Sequence, residues 1–168
     1  MLSAALMPWD LDGQVFNFTR YQLAVHPIAG GLARVIIAGS RRFDGVEIGR
    51  RYGSNLVRRA IAESGWAARQ EIGCVIHGAA LGIDRCAGAV CAGVYPVVSF
   101  PVRKIEWETF PGVAGHLRNA KMAENADRLI LIWDGRSGGS KKMLEIAQRK
   151  GLLIHQLVIT PAATSARG

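Results

Sequence analysis

Apolar residues come in short unbroken runs along this chain, and amphipathic stretches separate the runs. RVIIAGS (34–40) predicts a buried strand ending in a tight turn, and GCVIHG (73–78) a second. VYPVVSFP (94–101) predicts a third with Pro96 at its start, DRLILIW (127–133) a fourth and LLIHQLVI (152–159) a fifth. Between them, residues 45–65 carry Val46, Ile48, Leu56, Val57 and Ile61 among arginines, the pattern of an amphipathic helix that Gly49 and Gly53 weaken. DRCAGAVCAG (84–93) predicts a helix of small residues. AGHLRNAKMAENA (114–126) predicts another, and SKKMLEIAQRKG (140–151) a last one ending at Gly151.

Five strands alternate with helices, and most strands are apolar throughout. That pattern belongs to a parallel sheet covered on both faces. The expected fold is α/β: a Rossmann-like, doubly wound parallel sheet of about five strands with helices on both faces. The loops 39–45, 78–83 and 134–140 all follow strands, so they should converge on one edge, where such sheets bind ligands. Residues 1–33 break the alternation. QVFNFTRYQLAV (14–25) alternates apolar and polar positions, and the segment is expected to be an edge strand, an oligomer arm or a flexible extension. The domain should run over 34–159, with 160–168 as a frayed tail.

The charge narrows the partners. Against 13 Asp and Glu stand 21 Lys and Arg, a net charge of +8, which favours anionic partners: nucleotides, nucleic acid or phosphorylated small molecules. No apolar run is long enough for a membrane span, and the first residues lack the basic start of a secretory signal. The expectation is a cytoplasmic protein without a membrane partner. Cys74, Cys86 and Cys91 form no C-x-x-C pair, so buried free thiols are expected and no metal site.

The loops carry the candidate chemistry. A helix N-terminus presents free N–H groups and a partial positive charge, and glycine lets a phosphate approach them. His77, Gly78, Ala79, Gly82 and Asp84 sit at one such turn, although close packing of helix on sheet explains small residues equally well. Gly135, Ser137, Gly138, Gly139 and Ser140 make a second candidate cradle, in which Ser140 would alternatively be the helix N-cap. Asp134 could accept a ribose hydroxyl or form the turn before Gly135. Trp133 could stack on a base or close the core, and His77 could bond a ligand or sit satisfied at the core's edge. Gly39, Ser40 and Arg41 come from the first loop, and Trp107 and Phe110 are placed to form a lid.

The segments VIIAGSRRF, VIHGAALGID, AGHLRNAKM, ADRLILIWDG and GGSKKMLEIA resemble, in order and spacing, the YspA-like branch of the SLOG superfamily, which includes the Smf/DprA and Lonely Guy proteins. The resemblance runs from Arg34 to about Leu157 and implies a Rossmann-like fold, a nucleotide or nucleotide-derived ligand, and homo-oligomers. It adds Arg118 and Asn119 of RNAKM to the ligand-binding set, with Arg118 as the matching residue of an enzyme's site. The chain departs from the family loop at Ala79, Leu81 and Ile83, and ALGID leans toward the DprA form. Lonely Guy enzymes cleave an N-glycosidic bond with a Glu where this chain has Met143, and a thioether handles no proton. Three functions follow in order: a nucleotide-ligand binder, a phosphoribohydrolase-like enzyme using another carboxylate, and a DprA-like DNA binder. No further cofactor is implied.

Overall fold

The computed structural model describes residues 32–160. Five parallel strands form the sheet: β1 (Ala33–Gly39), β4 (Ile72–His77), β5 (Val97–Ser99), β6 (Arg128–Trp133) and β7 (Leu153–Val158). Their spatial order is β5-β4-β1-β6-β7. From β1 the chain builds outward on one side through β4 to β5, then returns to β6 on the other. The reversal opens a crevice between the carboxyl ends of β1 and β6.

Period-two alternation divides the core. Val35 and Ile37 of β1 and Ile130 and Ile132 of β6 pack under α1 (Arg50–Ser64) and α2 (Ile83–Cys91). Ile36 and Ala38, with Leu129, Leu131 and Trp133, pack on the opposite face under α4 (Ala114–Glu124) and α5 (Gly138–Lys150). Both faces of the central strands β1, β4 and β6 are covered, which is why those strands are apolar apart from residues near their ends. A short helix, α3 (Lys104–Thr109), precedes α4 and buries none of its residues.

Where the elements differ from the sequence reading, local chemistry explains it. The helix expected from residue 45 begins at Arg50. Ahead of it lies a small antiparallel hairpin, β2 (Arg42–Phe43) and β3 (Val46–Glu47). Asp44 and Gly45 turn it with φ of 53° and 77°, the two left-handed residues of a type I′ turn. The glycine inside α1 is a contact: a Cβ on Gly53 would lie 2.5 Å from Cys86 Sγ, so the glycine lets α1 and α2 approach. The third strand is only three residues long, and Pro96 precedes it with its carbonyl accepting the Val75 N–H at 2.9 Å. Helix α5 starts at Gly138, so its N-cap is Ser137 and not Ser140. The expected strand in 14–25 and the tail beyond 160 lie outside the described residues.

Ion pairs fasten the amino-terminal edge of the sheet. Arg34 grips Asp127 through Nε at 2.9 Å and Nη2 at 2.8 Å, joining the starts of β1 and β6. Arg128 pairs with Glu71 and lies 5.1 Å from the centre of the Trp66 ring. The carboxyl-terminal edge is organised differently.

Candidate functional site

At that edge a cavity of ≈ 710 Å³ opens over the β1/β6 crevice. All three loops named from the sequence reach it. Gly39, Ser40 and Arg41 come from the first, Ala80 and Leu81 from the second, and Asp134, Ser137, Gly139 and Ser140 from the third. Arg118 and Asn119 of α4 line it, as does Asp84 of α2.

Gly39 sets the floor. A Cβ there would come within 2.1 Å of the Ile132 carbonyl oxygen, so only glycine allows β1 to end this close to β6. The chain then turns, the Ser40 N–H bonds the Ile132 carbonyl at 3.0 Å, and the Ser40 and Ser137 hydroxyls meet at 2.9 Å across the crevice. Asp134 shapes the loop that delivers Ser137: its Oδ1 accepts the N–H of Arg136 at 2.9 Å and of Ser137 at 2.7 Å. Burial works against its charge, but the N–H bonds prevail and hold the carboxyl below its ordinary range. The Ser137 side chain makes no cap to its own helix. The first-turn N–H groups of Gly138, Gly139 and Ser140 lack intrahelical partners and lie at the positive end of α5.

The turn at 78–83 has a different interior. Asp84 is buried, and its carboxylate fills the cradle expected there. It accepts the Gly78 N–H at 3.1 Å and the Gly39 N–H at 3.4 Å, and Ala80 adds a backbone bond. Burial pushes its pKa up to about 6, opposed by the Arg118 charge and these N–H bonds. The anion this turn holds is therefore the chain's own. Protein atoms account for the small residues around it: Gly82 packs on the backbone of Ser40 and Arg41, Gly78 on the guanidinium of Arg118, and Gly88 on the His77 ring. Ala79 has φ of 55°, left-handed without being glycine.

Arg118 lines the cavity but spends donors on the scaffold. Nη1 donates to the Gly78 carbonyl and, at 3.3 Å, to that of Phe100; Nε donates to Asn119 Oδ1 at 3.0 Å. Burial lowers its pKa, and Asp84 counteracts this. It ties the ends of β4 and β5 together beneath the cavity.

Other residues named from the sequence lie elsewhere. His77 lines a second cavity, of ≈ 510 Å³, beside β5. Its Nδ1 accepts the Ala79 N–H at 3.1 Å, so the ring proton sits on Nε2; burial, then Arg118, lowers its pKa. Trp133 is buried and donates Nε1 to Gln156 Oε1 at 3.1 Å, the core alternative. Gly78, Ala79, Gly82, Gly135 and Gly138 shape the loops without lining the main cavity. Met143 is buried at its wall.

Sequence reasoning missed part of the lining: Arg42, Asp44 and Glu47 of the hairpin, His116 of α4 and Arg136. The Asp-Gly turn was the available signal for the hairpin; nothing in the sequence marks His116.

Positive charge gathers at this edge. Arg41, Arg50, Arg51, Arg85, Arg136 and Lys141 are exposed and form no ion pair among the described residues. Each lies in a strand-end loop or a first helical turn at the carboxyl edge. The described residues hold no cluster fit for a metal ion, and no helix among them is long and apolar enough to cross a membrane.

No family model and no curated protein matches this chain. Solved structures do share its fold. DNA processing protein A (DprA) of Streptococcus pneumoniae superposes with a TM-score of 0.57 at 17% identity, over 86% of this chain and 54% of that one. DprA of Helicobacter pylori, described in a study of its single-stranded DNA binding mode, gives 0.51 at 18%, over 80% and 67%. The chain thus spans about half of the first protein and two thirds of the second. At this identity the likeness shows the fold alone, an α/β Rossmann-like parallel sheet shared with these DprA structures.

Proposed function

We propose that the crevice between β1 and β6 binds the phosphate of a nucleotide or nucleotide-derived ligand, in a member of the YspA-like SLOG branch. The free first-turn N–H groups of α5 carry this reading, since they face the cavity wall that Ser40, Ser137 and Gly139 line. Arg41 and Arg136 add charge at the mouth. The Asp134 carboxylate lines the cavity, where it would accept a sugar hydroxyl beside the loop N–H groups it already holds. Hydrolysis is disfavoured because Met143, at the wall, supplies no proton.

A specific observation favours a second reading, single-stranded DNA. Arg50, Arg51 and Arg85, which form no ion pair among the described residues, extend the basic edge beyond the cavity, where a mononucleotide would not reach them, and the H. pylori neighbour is described by its single-stranded DNA binding mode. Thermal shift with mononucleotides and anisotropy with a labelled oligothymidylate, each at 50 and 200 mM salt, separate the two. A mononucleotide held by N–H groups should be only weakly salt-sensitive. A single strand on about six cations should lose about three-hundredfold in affinity. If neither ligand binds, the phosphate reading fails.

A further inference from the structure

We infer that Trp107 is the base platform of the cavity, so that its ligand carries a planar base and not phosphate and sugar alone. This rests on the phosphate reading above. Helix α3 is six residues long and buries none of them. Polar pins hold it: Glu106 accepts the Arg103 N–H at 2.8 Å and pairs with Lys121 of α4 at 3.1 Å. An element that buries so little of itself returns little against its ordering entropy, unless it covers something. It presents Trp107 to the cavity, with the residue 42% exposed. Cη2 of that ring stands 3.5 Å from where a Cβ on Gly115 would be, an ordinary van der Waals distance, so the indole lies against the first turn of α4. Trp107 and Ser137 line the same cavity, so phosphate at the α5 end and a base on the indole are compatible with one ligand. A nucleobase offers a π-face of any identity to such a surface.

The test compares AMP with ribose 5-phosphate, which has the same sugar and phosphate but no base. Calorimetric titration of the full chain should show Trp107→Ala weakening AMP about tenfold or more while leaving ribose 5-phosphate unchanged. Trp107→Phe, which keeps a stacking ring, should hold AMP within about threefold. Quenching of tryptophan emission by AMP should disappear in Trp107→Phe. Equal AMP affinity in wild type and Trp107→Ala would overturn the inference, as would parallel losses for both ligands. A change in molecular mass on Trp107→Ala would assign the exposed indole to a contact between copies instead. If wild type binds neither ligand, nor inorganic phosphate, it is the phosphate reading that has failed.

Discussion

The Ser40 and Ser137 hydroxyls meet at 2.9 Å across the crevice where strand order reverses. This bond joins the loop after β1 to the N-cap of α5, and neither hydroxyl caps a helix. It clasps the two halves of the doubly wound sheet at the point where a phosphate would enter.

Replacing Ser137 with Ala should leave the fold intact at a cost of about 1–2 kcal/mol, because the half-exposed hydroxyl gives up its bonds to Ser40 and to the Asp134 carboxylate. Nucleotide affinity should fall by about tenfold, the worth of one charge-assisted bond. Chemical denaturation and calorimetric titration on the same preparation check the pair. A large stability loss with unchanged affinity would make the serines purely structural.

Arg118→Ala should act on stability first. The change removes the donor to the Gly78 and Phe100 carbonyls. Losing these bonds in a half-buried place should cost about 2–3 kcal/mol. Urea midpoints report that loss, and binding measured where the variant stays folded should weaken as the 78–83 turn loosens. An unchanged midpoint would contradict the scaffold role.

Asp84 predicts a pH dependence. Its pKa in the fold is about 6, against 3.8 for an ordinary aspartate. Between those values the folded chain keeps a proton that the unfolded chain has released. The stabilisation tied to the neutral acid is thus fully present below the unfolded pKa and is lost as pH rises through the folded one. Asp84→Asn cannot titrate. The wild type should lose ground to it as pH rises from about 4 to about 7, by on the order of 3 kcal/mol. Urea midpoints of both proteins across that range decide it; a pH-independent difference would show that Asp84 titrates normally.

Ala79 holds φ of 55°. Glycine suffers no Cβ clash there, and the relief exceeds its extra unfolded entropy. Ala79→Gly should stabilise by about 0.5–1 kcal/mol, raising Tm by about 2–4 °C for a domain of this size. A lower Tm would mean that the methyl group packs usefully.

Much of this architecture is written in local pattern. Unbroken apolar runs such as RLILIW reveal strands buried on both faces, because polar positions cannot be tolerated under helices on either side. Alternation of those runs with amphipathic stretches puts every strand-end loop at one edge, so the neighbourhood of Ser40, Asp134 and Ser137 is legible in the sequence alone. The Asp44-Gly45 turn carries a local signal too, but Val46 and Ile48 fit the helical pattern that follows and hid it. What the sequence could not decide is which atoms fill the space next to a glycine. Gly78 and Gly82 read the same whether a phosphate or protein lies against them; tertiary packing put Arg118, Ser40 and Arg41 there and turned the Asp84 carboxylate into the cradle. The inward or outward choice for His77 and Trp133 was equally invisible, because a strand end looks alike from both faces until the neighbouring strands and their helices are in place.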